Sequence, residues 1–376
     1  MMAKSKMQEL LELGQSVWLD FLSRGMTRSG ELRSLIDDGL RGQTSNPTIF
    51  EHAIGTTADY DAQLSELAAS SKTDGEIFET IAVQDVREAA DEFRRVYDAT
   101  EGKDGFVSLE VSPSLARDTQ GTIAEARRLW KAVDRPNVMI KIPGTREGWP
   151  AIEQCLTEGI NINITLLFSL TNYEAVAEAY LKALEARVAK GQPIDRLASV
   201  ASIFVSRVDS EVDKRIEKQG GALADLLGKV AIATAKVDYG KYLDIVKSPR
   251  WKAVEAKGAR TQRLLWASTG TKNPNYSDVI YVDSLIAPDT ISTVPPETLK
   301  LFEDHGTVAL ALKGDVAGPS LRIMDALAKG GIDYADVNRV LEDEGIDKFQ
   351  KSYDKLMSVI AAKRKTLAQK AAAPTR

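Results

Sequence analysis

The sequence predicts an α/β protein: a single (β/α)8 TIM barrel with extra helices in long connections and at the C-terminus. Three observations carry that reading. Eight short apolar runs alternate with longer segments of helical periodicity. In several runs polar residues alternate with apolar ones, and the polar residues fall late in the run. The chain of 376 residues has no linker-like stretch, so residues 1–376 are expected to form one barrel domain.

Taken in order, strands are expected at Ser16–Leu22, Leu40–Asn46, Gly105–Val111, Val138–Ile142, Ile160–Leu167, Ala198–Val205, Arg263–Ser268 and Thr290–Val294. Between them, Pro47–Lys103 is expected to hold two helices, Asp74–Tyr97 being the clearer. Thr119–Val133 carries Ile123, Ala126, Trp130 and Val133 at helical spacing. Thr171 and Glu174 have the spacing of a capping box ahead of Val176, Tyr180 and Leu184. Val208–Ala259 reads as largely helical. Residues 320–366 form a helical extension, with Ser320–Lys329 and Gly345–Thr366 as helices outside the barrel. That extension either covers the barrel or overhangs its mouth. Residues 368–376 read as a frayed tail.

Alternation then assigns the faces. Val107, Leu109 and Val111 separate from Ser108 and Glu110; Ile140 and Ile142 separate from Met139 and Lys141. Three isoleucines separate from Asn161, Asn163 and Thr165, and Val17 and Leu19 from Trp18 and Asp20. Helices cover the outside of a parallel barrel, so these polar faces are expected inside. Asp20, Glu110, Lys141, Asn163 and Thr165 sit near strand C-termini, where barrel enzymes place their chemistry. Lys141 is the sharpest case, an amine within the run Asn137-Val-Met-Ile-Lys-Ile-Pro-Gly-Thr145. A desolvated lysine amine is a nucleophile toward carbonyls, which suggests a Schiff base.

Composition narrows the chemistry. A net charge of −5 gives no general attraction to nucleic acid or to an anionic membrane. One cysteine, Cys155, fits a reducing compartment, and the N-terminal stretch has no signal-peptide core, so a cytoplasmic protein is expected. The two histidines, His52 and His305, lie in polar stretches that read as loop or helix start, at the surface. A His/Cys zinc site and a Ser-His-Asp triad therefore lack support, and neither metal nor cofactor is expected. The loop Trp266-Ala-Ser-Thr-Gly-Thr-Lys-Asn-Pro274 is small, hydroxyl-rich and cationic enough to hold a phosphate, and Arg207 adds a cation after the sixth strand.

These segments together resemble the transaldolases, in their longer bacterial subgroup. The matching pieces are Trp18-Leu-Asp20, Thr44-Ser-Asn-Pro47, Ser108-Leu-Glu-Val-Ser-Pro113, Met139-Ile-Lys-Ile-Pro-Gly-Thr145, Ile162-Asn-Ile-Thr-Leu-Leu-Phe-Ser169, Ser199–Arg207 and Trp266-Ala-Ser268. The resemblance implies Lys141 as the Schiff-base residue. It implies Asp20 as the base at the hydroxyl of the cleaved carbon, and Glu110 with Thr165 as proton carriers through a water. Asn46, Asn163 and Ser202 would bind the dihydroxyacetone part, and Arg207 and Ser268 the phosphate. A second phosphate arginine expected two residues after Ser268 is Gly270 here, and Lys272 is the candidate replacement. The implied partners are sugar phosphates, bound by a monomer or homodimer. The implied reaction transfers dihydroxyacetone from sedoheptulose 7-phosphate to glyceraldehyde 3-phosphate. A fructose-6-phosphate aldolase is the alternative, and a silent sugar-phosphate-binding barrel is the third reading.

Overall fold

The computed structural model describes residues 4–68 and 70–372. Eight parallel strands close on themselves in sequence order. They are β1 (Gln15–Leu19), β2 (Gly42–Gln43), β3 (Phe106–Glu110), β4 (Val138–Pro143), β5 (Ile162–Leu167), β6 (Ser199–Phe204), β7 (Arg263–Ala267) and β8 (Thr290–Val294). Register fixes which side chains share a level. Glu110 lies opposite Lys141, Lys141 opposite Asn163, and Pro143 opposite Thr165.

All eight expected strands are present, but β2 is shorter than Leu40–Asn46. The chain leaves the sheet early because a helix starts immediately after it. Asn46 caps helix Pro47–Thr56, its Oδ1 accepting from Ile49 N at 3.0 Å, and Pro47 occupies the first turn. Thr44, Ser45 and Asn46 thus sit on the turn above β2. The glycine in β2 has a packing reason. Gly42 faces Trp18, and a Cβ there would lie 2.5 Å from the indole ring.

The N-terminal end of the barrel is closed by a buried polar cluster. Asp104 accepts from Ser16 Oγ (2.6 Å), Trp18 Nε1 (3.1 Å) and Arg263 Nη1 (3.1 Å). Arg263 Nη2 also donates to Ser16 Oγ (2.6 Å) and to Thr290 O (2.8 Å). Removing one member strands a buried charge. Asp104→Ala is expected to destabilise the fold by about 3–5 kcal/mol, read as a lower urea midpoint at unchanged slope. A loss under about 1 kcal/mol would mean the pair is solvated like a surface bridge.

The connections hold more helix than expected. Pro47–Lys103 contains three helices, Pro47–Thr56, Asp61–Ala68 and Asp74–Ala99, rather than two. The third starts with a reciprocal capping box between Thr73 and Glu76. Thr119–Val133 is a helix with the expected bounds, capped by Asp118. Helix Leu170–Ala189 is capped by Ser169, whose Oγ accepts from Asn172 N at 3.2 Å, not by Thr171. Glu174 is instead ion-paired with Lys241 at 2.6 Å. After β6 come Ser206–Gln219, a 3-10 segment Gly221–Leu226, Val230–Lys247 and Pro249–Glu255. Both histidines are exposed, but His52 lies inside helix Pro47–Thr56 and His305 ends helix Pro296–His305.

The C-terminal region departs most from expectation. Helices Ala317–Lys329 and Tyr334–Ala372 follow β8, and the second, of 39 residues, starts well before Gly345. Residues 368–372 of the expected tail belong to it, while 373–376 lie outside the described residues. Its buried stripe runs through Val337, Leu341, Phe349, Leu356 and Ile360, with Gly345 in the gap. The later part of the stripe packs on helices Pro47–Thr56 and Asp61–Ala68. The earlier part lies across the barrel mouth, so this helix overhangs the opening. Among the described residues no helix is long and apolar enough to cross a membrane.

Candidate active site

Lys141 stands at the C-terminal end of the barrel interior, its side chain 6% exposed. Its Nζ is 3.5 Å from Glu110 Oε2 and donates to Ser45 O at 3.4 Å. The Phe349 ring lies 5.9 Å away, within the range of a cation–π contact. Burial pushes the Glu110 carboxyl above its ordinary range. The Lys141 ammonium pulls it back down and the Asp20 charge pushes it up again. Apart from that ion pair, Glu110 Oε2 has no hydrogen-bond partner in the protein, and buried Thr165 Oγ1 has none either.

Asp20 follows directly on β1. Its backbone N donates to Val294 O at 2.9 Å, and Thr44 Oγ1 donates to its Oδ1 at 2.8 Å. Thr44 in turn lies 3.1 Å from Thr293 Oγ1, so three strand ends hold one carboxylate in place. Thr165 is aimed by an irregularity. The β5–β6 register shifts between Ile164 and Leu167, and Leu166 has a left-handed φ of 59°. That conformation costs a branched residue about 1–3 kcal/mol, held here by the surrounding packing.

A cavity of about 520 Å³ fills the mouth. Of the sequence-derived candidates, Lys141, Asp20, Thr165 and Asn46 line it at the amine end. Ser202, Arg207, Ser268 and Lys272 line it toward β6 and β7. Two candidates stand behind the wall. Glu110 approaches Lys141 from β3. Asn163 is fully buried, its Nδ2 donating to Ser108 Oγ at 2.9 Å and its Oδ1 accepting from Ser202 Oγ at 2.7 Å. Asn163 thereby orients the Ser202 hydroxyl.

The other end of the cavity is cationic. Arg207 starts helix Ser206–Gln219 with its guanidinium 5.2 Å from the Phe204 ring centre and 5.7 Å from that of Phe349. Burial holds it below its usual range. Ser268 has a left-handed φ of 56°, and its hydroxyl meets that of Ser206 at 2.9 Å. A Cβ at Gly270 would lie 3.5 Å from Lys272 Nζ, so the Lys272 amine stands beside the place an arginine side chain would leave from.

Sequence reasoning left open whether the C-terminal extension overhangs the mouth and named none of the residues that do. Leu341, Glu344, Lys348 and Phe349 of the C-terminal helix also line the cavity. The signal was present: a glycine interrupting an otherwise apolar stripe marks a close approach. Among the described residues no three His, Cys, Asp or Glu side chains are grouped to hold a metal ion.

The family model for transaldolase/fructose-6-phosphate aldolase matches residues 17–360. The chain belongs to that family. The transaldolase of Saccharopolyspora erythraea is 49% identical over 361 residues, covering 96% of this chain and 98% of that protein. A transaldolase of Trichodesmium erythraeum is 47% identical, covering 97% of this chain and 99% of its own length. One of Acidothermus cellulolyticus is 48% identical, covering 94% and 95%. The family match runs from β1 into the C-terminal helix, so the lysine strand and the overhanging segment both fall within it.

Proposed function

We infer that the chain is a transaldolase of the pentose phosphate pathway. It transfers a dihydroxyacetone unit from sedoheptulose 7-phosphate to glyceraldehyde 3-phosphate, giving erythrose 4-phosphate and fructose 6-phosphate. The observation that carries the reading is Lys141, a buried amine at one end of a cavity whose other end is lined by Arg207 and Lys272. A sugar phosphate spans such a cavity with its carbonyl at the amine and its phosphate at the cations.

The Lys141 amine adds to the ketose carbonyl, and loss of water gives a protonated imine. Glu110, whose carboxyl burial pushes above its ordinary range, and Thr165 are suited to carry protons through a water between their unpartnered oxygens. Asp20 takes the proton from the hydroxyl on the cleaved carbon. The carbon–carbon bond breaks, an aldehyde leaves, and the electron pair flows into the imine as an enamine. The acceptor aldehyde then enters, the enamine attacks it, and Asp20 returns the proton; water hydrolyses the resulting imine, breaking the bond to Lys141 and releasing the new ketose phosphate. Asn46 and Ser202 face the dihydroxyacetone part, with Asn163 acting through Ser202. Arg207, Ser268 and Lys272 hold the phosphate and set the chain against the reacting groups.

The family also contains fructose-6-phosphate aldolases, in which the carbanion is protonated and dihydroxyacetone is freed. The curated relatives above, similar over nearly their full length, are transaldolases. The deciding assay supplies fructose 6-phosphate with and without an acceptor aldehyde and measures free dihydroxyacetone. Transfer that needs acceptor and survives a chelator is expected. Steady release without acceptor would replace the transferase reading with the lyase.

A further inference from the structure

We propose that Lys348, carried over the barrel mouth by the C-terminal helix, is a further substrate-phosphate ligand acting with Arg207 and Lys272. The proposal rests on the sugar-phosphate reading above and adds the terminal helix to the specificity site.

The three cations line one end of the same cavity. Among the described residues none of them has a carboxylate within 4.0 Å, although neighbours on the same two helices do. Arg215 pairs with Glu211 at 2.7 Å and with Asp336 at 2.9 Å, and Arg339 pairs with Asp336 at 2.7 Å. Converging like charges repel, and an enclosed setting strengthens the repulsion. Partial burial, and then the nearness of Arg207 and Lys272, hold the Lys348 ammonium below its usual range. Two carboxylates line this end as well. Glu211 is occupied by Arg215 and Lys214, which leaves Glu344 against three cations. A dianion is the missing counter-charge, and the Arg207 fork with the Ser268 hydroxyl makes phosphate the fitting one.

The placement of Lys348 is built into the helix. A Cβ at Gly345 would lie 2.9 Å from Leu166 Cδ2 and 3.5 Å from Arg207 Nη1, so the glycine lets the helix come this close without displacing the Leu166 side chain. Phe349, fixed next to Lys348, is buried and stands over both Lys141 and Arg207. The anchored phenylalanine leaves its exposed neighbour at the cavity rim. Gly270, with no side chain to reach a phosphate, leaves room for these lysines.

The test compares wild type with Lys348→Met and Lys348→Arg. Lys348→Met is expected to raise KM for fructose 6-phosphate about tenfold with little change in kcat, and Lys348→Arg to recover most of the loss. Inorganic phosphate, titrated as a ligand, should bind Lys348→Met about tenfold more weakly. Borohydride trapping of unphosphorylated dihydroxyacetone on Lys141 should be equal in all three proteins. Unchanged phosphate affinity and KM in Lys348→Met would overturn the proposal, as would an equal loss with unphosphorylated donor. Failure of wild type to trap any adduct would instead remove the Schiff-base reading, while the phosphate titration still reports on Lys348.

Discussion

Lys141→Met is expected to lower turnover by about 10⁴-fold or more and to abolish the borohydride-trapped adduct. Methionine keeps the length and apolar character of the stem while deleting the amine, so the effect reads covalent chemistry more than shape. The fold should tolerate the change. Glu110 loses its cation, but burial pushes its carboxyl toward the neutral form, which limits the cost of leaving it unpaired. Lys141→Arg completes the argument. A guanidinium restores the positive charge beside Glu110 but stays protonated and forms no imine. Both variants should be inactive by the same chemistry. Mass spectrometry of the trapped protein checks the site, and an active Lys141→Arg enzyme, or an adduct on another lysine, would refute the assignment.

Asp20→Asn is expected to lower turnover by about 10²–10⁴-fold while leaving the trapped adduct intact. The amide oxygen can still accept from Thr44 Oγ1, so the local structure persists and only the proton acceptor is lost. In the proposed mechanism imine formation uses Lys141, Glu110 and Thr165, and bond cleavage uses Asp20. The two steps should separate, with adduct accumulating as product formation stalls. Parallel loss of trapping and turnover would show that Asp20 serves the imine instead.

Much of this arrangement was legible from residue order because strand side chains alternate with a period of two. Once β3, β4 and β5 are parallel and covered outside, Glu110, Lys141 and Thr165 have one interior to enter. Local rules were weaker at element ends. Thr171 and Ser169 both precede plausible helix starts, and the choice fell to the hydroxyl that reaches a free backbone N–H, that of Ser169. Asn163 was correctly inward, but its amide is turned between Ser108 and Ser202, a contact set by neighbouring strands.

The sequence by itself determined the barrel, the depth of Lys141 and the scarcity of histidine and cysteine that favours an imine over a metal. These follow from periodicity and composition, which are local or additive. Only the tertiary structure decided what covers the mouth. The stripe from Val337 to Ile360 shows that one helix face is buried, but not against what. The partner is chosen by long-range packing: Gly345 against Leu166 and Arg207, and Phe349 over the lysine. A helical period names a face; its counterpart is set by surfaces far away along the chain.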